Sequence, residues 1–297
     1  MKLLDGKLCA KNLRTKLKNQ LKNTGESRPA LAIVIVGDDP ASKVYVRNKN
    51  RAAKEIGITT YNYMLNQDTD LATLLSLIHM LNNNDKIDGI LVQMPLPEQF
   101  TFSDVSQVIE AIDPAKDVDG FHPTNLGNLF IGNTASNVGM KYPVPCTPKG
   151  IMYLLKENNI PIDGKNAVVI GRSNIVGKPM AALLTNNNAT VTLAHSHTQH
   201  LADITRKADI IIVAVGKADF LTADMVKQDA VIIDVGMNRK DGKLVGDVDF
   251  DSLKDHTGYI TPVPGGVGPM TVAMLFEQLI MLYQNNVNKA ALKSEDV

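Results

Sequence analysis

The stretch from Ala167 to Pro179 runs from an apolar segment through a glycine turn into a helical pattern. The first amides of a helix offer unpaired N–H groups and a partial positive charge to a phosphate. Five residues separate Gly171 from Gly177, and Pro179 follows Lys178 where a Walker loop carries a magnesium-binding Ser or Thr. Since G-x-G-x-x-G is not matched either, the turn predicts a dinucleotide site but leaves a purely structural turn open.

The end of the next apolar segment discriminates between NAD and NADP. An NAD site places an acid about 20 residues after the turn, where it binds the ribose 2′-hydroxyl. Here that position reads Leu193-Ala-His-Ser-His197, which contains no carboxylate to repel a 2′-phosphate. Because Arg172 and Ser196 are available to bind such a phosphate, NADP is favoured as the cofactor.

Three histidines in the same region leave a metal site as an alternative: His195, His197 and His200. Alternate residues of a strand share a face, and imidazole is a common metal ligand. A polar strand end that lines the cofactor site needs no further ligand, and we therefore expect no metal.

A second group of reactive side chains lies in the first half of the chain. Tyr45 and Lys49 are four residues apart, so on a helix they share one face. Gln93 ends an apolar segment, and Asp117 and Asp119 precede a glycine. Taken singly, such residues are more often a solvated lysine, a strand-end amide and an Asx turn.

The elements around these residues alternate between strand-like and helical patterns. In the first half, strands are predicted at Leu31 to Gly37, Thr59 to Leu65 and Gly89 to Met94, with helices at Ser42 to Ile56 and Leu71 to Asn82. Such alternation predicts a largely parallel sheet. Turn-forming residues follow two of these strands, at Gly37 to Pro40 and Pro95 to Pro97, at the sheet edge where open α/β sheets bind ligands.

The second half repeats this alternation. Strands are predicted at Ala167 to Ile170, Thr190 to Ala194, Ile210 to Val215 and Val231 to Val235, with helices at Gly177 to Thr185, Leu201 to Lys207 and Met270 to Tyr283. This series is typical of a nucleotide-binding half-fold. The polar, glycine-bearing segment from Gly132 to Tyr142 predicts a junction between two domains, a number that 297 residues also favour.

The composition excludes several classes of partner. Lys+Arg and Asp+Glu are 31 each, so no net charge gathers nucleic acid or an anionic membrane surface. The two cysteines, Cys9 and Cys146, have neither disulfide-framework nor metal-ligand spacing, which favours a reducing compartment. The basic N-terminus reads as a first core helix with Leu13, Leu17 and Leu21 rather than a transit peptide, so we expect a cytoplasmic protein.

Six motifs in order closely resemble the bifunctional methylenetetrahydrofolate dehydrogenase/methenyltetrahydrofolate cyclohydrolase family. They are Ser42-x-x-Tyr45-x-x-x-Lys49, Val92-Gln-x-Pro-Leu-Pro97, Lys116-Asp-Val-Asp-Gly120, Pro145-Cys-Thr-Pro148, Gly171-Arg-Ser173 and Pro264-Gly-Gly-Val-Gly-Pro-Met-Thr271. The resemblance covers nearly the whole chain, from Asp5-Gly6 to the last helix. It implies a two-domain α/β homodimer that binds folate in the cleft between an N-terminal catalytic domain and a Rossmann-type NADP-binding domain.

The implied domain bounds are 1–142 for the catalytic domain, with 270–297 packing back on it, and 143–269 for the Rossmann-type domain. The implied activity oxidises 5,10-methylenetetrahydrofolate with NADP+ and hydrolyses the methenyl product to 10-formyltetrahydrofolate, a one-carbon carrier of purine biosynthesis. Lys49 would then be the acid/base, which requires a pKa lowered from about 10.4 toward neutrality. Gln93 would orient Lys49, Tyr45 would pack on the pterin, and Asp119 would accept its N–H donors.

The remaining implied ligands follow from the same motifs. Those for folate are Gly266, Gly268, Pro269 and Thr271, and those for the cofactor are Gly171, Arg172, Ser173, Ser196, Met237 and Thr147. Asp117 is expected to be structural. Met94 and Met237 replace the leucine and isoleucine usual in the family, with little consequence expected since all are apolar, whereas the segment from Gly132 to Tyr142 is longer than typical.

Three other functions fit parts of the pattern. A two-domain dehydrogenase acting on an amino or hydroxy acid would not explain Lys49, Gln93 and the Pro264–Pro269 loop together. A cofactor-sensing binding protein would not need the reactive set of the first half. A monofunctional or NAD-preferring variant of the family remains open, because motifs do not report rates.

Overall fold

The structure is a computed structural model that describes residues 1–22, 28–132 and 142–295, with the backbone alone described at residues 40, 41, 43, 44 and 289–295. Most of the predicted junction, residues 133–141, lies outside the described part. The chain forms two compact units. We call residues 13–22, 28–128, 142–144 and 275–295 the N-terminal unit, and residues 1–12, 129–132 and 145–274 the Rossmann-type unit.

The N-terminal unit contains a three-stranded parallel sheet in the order β3-β2-β4. The strands are β2 (Ala30–Val36), β3 (Thr59–Leu65) and β4 (Gly89–Val92). Every residue of the central strand β2 is buried, which explains its continuous apolar sequence, since a strand covered on both faces has no solvent side to alternate with. Pairing joins Val34 to Val92 and Val36 to Leu65, so the carboxyl ends of the three strands meet at one edge.

The helices of this unit begin at clear capping signals. Helix α2 (Pro40–Ile56) starts after Asp39, whose carboxylate accepts from Ser42 N at 2.7 Å, and ends at Gly57 with φ of 97°. Helix α3 (Leu71–Asn82) is capped by Asp70, and α4 (Phe102–Ala111) begins with a Thr101–Asp104 capping box. Helices α1 (Gly6–Lys22) and α5 (Pro123–Ile131) each contribute residues to both units.

The Rossmann-type unit is built on a six-stranded parallel sheet in the order β1-β11-β8-β7-β5-β6. The strands are β1 (Lys2–Leu3), β5 (Asn166–Ile170), β6 (Thr190–Ala194), β7 (Ile210–Val213), β8 (Val231–Asp234) and β11 (Tyr259–Ile260). Around it lie α6 (Cys146–Glu157), α7 (Gly177–Asn186), α8 (Leu201–Thr205), α9 (Phe250–Leu253), a 3-10 turn (Ala223–Met225) and the hairpin of β9 (Asn238–Lys240) and β10 (Lys243–Val245). The predicted α/β class with two domains is confirmed.

The grouping of residues 1–12 with the Rossmann-type unit follows from the pairing of β1 with β11, through Lys2 with Tyr259 and Leu3 with Ile260. Strands of two residues carry no readable alternation, so neither was predicted. The functional domain bounds of 1–142, 143–269 and 270–297 stay a prediction, because compactness groups residues by proximity and not by role.

The predicted end of the last helix at Tyr283 is wrong. Helix α10 runs over Val267–Glu295, with residues 267–274 in the Rossmann-type unit and the rest in the N-terminal unit. No Gly or Pro follows Tyr283, and Ala290, Ala291 and Leu292 are good helix formers, so the polar stretch after Tyr283 does not stop the helix. Within the described residues, no helix combines the length and apolarity needed to cross a membrane.

Gln278 lies fully buried in α10 and joins three backbone groups of the N-terminal unit. Its Nε2 donates to Val118 O at 2.8 Å and to Val144 O at 3.0 Å, while its Oε1 accepts from Val144 N at 2.9 Å. One side chain therefore pairs with polar backbone groups of two separate segments.

We predict that Gln278→Leu lowers the free energy of unfolding by about 3 kcal/mol, because three buried backbone groups lose their partner. Urea denaturation followed by circular dichroism measures the change. Gln284→Leu, at a partly exposed position of the same helix, is the control and should stay within about 0.5 kcal/mol of wild type. Equal losses in the two variants would contradict this role of Gln278.

Candidate active site

Lys49 and Gln93 form a hydrogen bond in the N-terminal unit. Lys49 lies partly buried on α2, and Gln93 follows the last residue of β4. The Lys49 Nζ donates to Gln93 Oε1 at 2.9 Å, while Gln93 Nε2 donates to Met94 O at 2.7 Å. Because the Gln93 Nε2 group is bound to Met94 O, the amide oxygen of Gln93 faces Lys49. This oxygen orients Nζ without adding a charge.

Tyr45 lies one helical turn before Lys49 on α2 and is 38% exposed. Burial of the rest of the residue raises the pKa of the Tyr45 hydroxyl above its usual value, so the ring stays neutral at physiological pH. The structure thus confirms the common helix of Tyr45 and Lys49.

Asp119 lies partly buried in the loop that follows the Ile90–Asp117 bridge beside β4. Burial raises the pKa of its carboxyl to about 6; attraction to Lys49 opposes the shift, and repulsion from Asp117 adds to it. Asp119 is therefore close enough to Lys49 for the two charges to interact, while Lys49 is hydrogen-bonded to Gln93.

Asp117 holds this loop in place. Its Oδ1 accepts from Gly120 N at 3.0 Å, and its Oδ2 accepts from His122 N at 2.8 Å and from Asn125 Nδ2 at 2.9 Å. With Asp117 only 2% exposed, these bonds fix the backbone on the carboxyl side of Asp119. The hydrogen bonds described for this carboxylate go to residues 120–125, which is compatible with the predicted structural role of Asp117.

Sequence reasoning missed two residues that support Asp119. Asn125 also donates to Pro114 O at 3.0 Å, and Gln278 bonds the carbonyl of Val118, directly before Asp119. The signal for Gln278 was available, because it is an amide within the mostly apolar run from Met270 to Tyr283. Its partners lie far away along the chain, so only the fold reveals them.

The glycine turn of the Rossmann-type unit has the close backbone approach expected of a dinucleotide site. Gly171 has φ of 122°, and a Cβ there would lie 2.3 Å from Ala214 O. A Cβ on Gly177 would lie 2.0 Å from Gly171 O, so the start of α7 packs directly on the turn. Both positions therefore exclude any side chain.

The first amides of α7 are already paired within the protein. Ser173 Oγ accepts from Val176 N at 3.2 Å and from Gly177 N at 3.3 Å, and Ser173 O accepts from Lys178 N at 3.0 Å. A phosphate at these amides would compete with Ser173. The simple expectation of unpaired helix amides is therefore wrong at this helix start, because a serine in the turn reaches them first.

Arg172 and Ser196 are both exposed at the carboxyl edge of the sheet, after β5 and β6 respectively. Ser196 lies in a turn closed by Thr198 N donating to His195 O at 2.8 Å. These residues fit NADP. Arg172 supplies a guanidinium for the 2′-phosphate, residues 193–197 contain no carboxylate that would repel it, and the Gly171 turn allows close backbone approach. Among the described residues, no group of three His, Cys, Asp or Glu side chains is arranged to hold a metal ion.

The other predicted ligands lie in the same unit. Thr147 near the start of α6 and Thr271 near the start of α10 are joined by a hydrogen bond of 3.0 Å between their Oγ1 atoms. Gly266 is required by packing, since a Cβ there would lie 2.6 Å from Pro262 O, whereas a Cβ on Gly268 would meet open space. Met237 is 53% exposed.

These ligands thus divide between the two units. Tyr45, Lys49, Gln93 and Asp119 belong to the N-terminal unit, and the predicted cofactor residues with Gly266, Gly268, Pro269 and Thr271 belong to the Rossmann-type unit.

Comparison with known proteins assigns both units to one family. Residues 4–119 match the tetrahydrofolate dehydrogenase/cyclohydrolase catalytic domain, and residues 145–287 match the NAD(P)-binding domain of the same name. The bifunctional protein FolD of Halothermothrix orenii is 54% identical over 281 residues, which cover 94% of this chain and 96% of that protein.

Two solved structures share the fold. The bifunctional FolD methylenetetrahydrofolate dehydrogenase/cyclohydrolase of Campylobacter jejuni has a TM-score of 0.89 at 47% identity, covering 96% of this chain and 99% of that one. The FolD enzyme of Trypanosoma brucei, complexed with NADP cofactor and inhibitor, has a TM-score of 0.88 at 36% identity, covering 96% and 98%. From two matched family domains and such identity over nearly its full length, we conclude that this chain belongs to the tetrahydrofolate dehydrogenase/cyclohydrolase family.

Proposed function

We propose that the protein oxidises 5,10-methylenetetrahydrofolate to the 5,10-methenyl compound with NADP+ and hydrolyses that product to 10-formyltetrahydrofolate. The observation that carries the proposal is the Lys49 Nζ to Gln93 Oε1 hydrogen bond of 2.9 Å beside Asp119, in a chain whose second unit matches an NAD(P)-binding domain. A lysine held by a neutral amide suits proton transfer on a folate that becomes cationic during the reaction.

In the oxidation, bound NADP+ supplies the hydride acceptor, and the hydride leaves the one-carbon bridge of the folate. The residues of the N-terminal unit bind and orient the substrate for this step. Tyr45, partly exposed on α2, offers its ring to the pterin, and the Asp119 carboxylate accepts hydrogen bonds from the pterin amino and ring N–H groups. Orientation of the bridge is the main contribution these side chains make.

In the hydrolysis, water adds to the methenyl carbon and one carbon–nitrogen bond of the bridge then breaks. Lys49 takes one proton from the attacking water and passes it to the departing nitrogen. The second proton of the water is released to solvent as the formyl C=O forms. Gln93 holds Nζ in place during both transfers, because its oxygen accepts from Nζ while its own N–H group is fixed to Met94 O. An acidic partner in place of Gln93 would hold Lys49 in its charged form and oppose proton uptake from water.

We predict that Lys49→Met lowers cyclohydrolase kcat by about 100-fold or more, because the acid/base group is lost. Hydrolysis of the methenyl substrate, followed by its absorbance, measures the change. Lys54→Met on the same helix, at an exposed position, is the control and should keep wild-type turnover. Folding and NADP+ binding should be intact in both variants, and full hydrolysis by folded Lys49→Met would refute the assigned role.

We predict that kcat/KM for the folate substrate falls about tenfold per pH unit below a pH of about 6, because protonation of Asp119 removes its ionised acceptor. The carboxyl is ionised above its raised pKa, so activity is full at higher pH and is lost on acidification. A pH profile of wild type and Asp119→Asn measures this. Asp119→Asn should have a higher KM for the folate at every pH, and its kcat/KM should not fall below a pH of about 6 as it does in wild type. The same fall in kcat/KM in the variant would contradict the assignment.

We predict that Arg172→Ala raises KM for NADP+ by about tenfold or more and leaves KM for NAD+ nearly unchanged, because only NADP+ carries the 2′-phosphate. Initial rates of nicotinamide reduction with each cofactor give both constants. Lys207→Ala, which removes an exposed positive charge elsewhere in the same unit, is the control. Equal effects of Arg172→Ala on the two cofactors would exclude a 2′-phosphate contact.

We also propose that the protein acts as a homodimer in the cytoplasm and that its 10-formyl product feeds purine biosynthesis. The motif resemblance supports the homodimer and the link to purine biosynthesis. The two cysteines, Cys9 and Cys146, are buried and form no disulfide with each other, which supports a reducing compartment. The zero formal net charge gives no reason to expect nucleic acid as a partner.

A further inference from the structure

Asp247 is a fully buried carboxylate that holds three consecutive backbone amides of one loop. Its Oδ2 accepts from Val215 N at 2.7 Å and from Gly216 N at 3.0 Å, and its Oδ1 accepts from Lys217 N at 2.9 Å. A fourth donor, Asn238 Nδ2, reaches Oδ1 at 2.9 Å. The negative charge is therefore fully hydrogen-bonded within the protein.

The loop of residues 215–217 follows β7 at the carboxyl edge of the sheet and is exposed on its outer side. Gly216 has φ of 68°, a left-handed conformation that turns successive amides toward the carboxylate. Asp247 thus fixes the loop from its buried side and leaves its other side open to a ligand.

This loop lies next to the dinucleotide turn. Ala214 N donates to Ile170 O at 2.8 Å, and the Ala214 carbonyl lies so close to Gly171 that a Cβ there would approach it to 2.3 Å. Val215, the first residue held by Asp247, directly follows Ala214. Any displacement of residues 215–217 is consequently passed to the strand end against which Gly171 packs.

A second carboxylate fixes Asp247 itself. Asp234, at the end of β8, accepts from Asp247 N at 2.9 Å and from Val248 N at 3.0 Å, and it is 4% exposed. The Asp247 carbonyl in turn accepts from Phe220 N at 2.7 Å. Asp247 is therefore bonded to the end of a strand of the central sheet as well as to the loop that it holds.

We propose that Asp247 is a positioning residue for cofactor binding: its carboxylate keeps residues 215–217 in the conformation that accepts NADP+ beside the Gly171 turn. The inference rests on the proposed function, because it takes the dinucleotide site to be at this edge. Because the loop is already ordered before the cofactor binds, binding does not lose the free energy that ordering the loop would require.

The sign of the effect separates this role from simple electrostatics. Asp247→Asn removes a negative charge near an anionic cofactor, which by charge alone would strengthen binding. The amide that this substitution introduces would place an N–H donor against the backbone N–H donors of the loop, so the loop would lose its conformation. That loss would weaken NADP+ binding. We expect Asp247→Asn to raise the Kd for NADP+ at least about tenfold, measured by titration calorimetry.

Kinetics provide the second readout. In Asp247→Asn, KM for NADP+ should rise while dehydrogenase kcat at saturating NADP+ and cyclohydrolase kcat stay within about twofold of wild type. The matched control is Asp209→Asn, which alters a hydrogen-bonded carboxylate directly before β7, at the opposite edge of the same sheet. Its Kd for NADP+ should be unchanged. An unchanged or lower Kd in folded Asp247→Asn, or an equal rise in Asp209→Asn, would overturn the proposal.

Hydrogen exchange on the wild-type protein tests the proposal even where the variant does not fold. The amides of residues 215–217 should exchange slowly without NADP+, because a buried carboxylate already accepts from them. Fast exchange without NADP+ that becomes slow on its addition would mean that the cofactor orders the loop, which would overturn the proposal. Failure of the proposed function has a different signature, namely wild-type protein that neither binds NADP+ nor converts the folate.

Discussion

Buried backbone N–H and C=O groups must be paired, and in several loops of this protein a few buried polar side chains meet that requirement. A loop outside the sheet carries backbone donors and acceptors that no strand ladder pairs, so they need other partners. Asp117 and Gln278 supply the partners in the N-terminal unit, and Asp234 and Asp247 supply them in the Rossmann-type unit. Each of these residues fixes a loop at or near a predicted ligand position.

This arrangement separates the groups that shape the site from those that act on ligands. Asp117 accepts from two backbone amides and from the Asn125 side chain, and Gln278 bonds to backbone groups, whereas Asp119 is the residue proposed to contact a ligand. Burial makes the charged form of the Asp119 carboxyl less favourable and raises its pKa to about 6, although the charge of Lys49 opposes this shift. Lys49, by contrast, donates its hydrogen bond to the neutral amide of Gln93, which adds no charge beside the ammonium group.

Much of the fold followed from periodicity and caps. The predicted bounds of β3, α3 and β6 coincide with the structure, because each combines a regular apolar pattern with a turn signal at its ends. The last helix is longer than predicted, since its end was placed at Tyr283 although no Gly or Pro follows that residue. The pairing of β1 with β11 escaped prediction because strands of two residues form only where tertiary structure brings their partners together.

The sequence by itself determined the chemistry available: the types and order of Tyr45, Lys49, Gln93, Asp119, Gly171 and Arg172, and the family to which they point. Local patterns sufficed because helix spacing and glycine turns are properties of neighbouring residues. The tertiary structure alone decided which acids and amides hold the loops. Ser173 satisfies the first amides of α7 from within its own turn, but Gln278 and Asp247 reach atoms some 30 to 160 residues away along the chain. No local pattern reports such a contact, because it depends on which strands become neighbours once the sheets have formed.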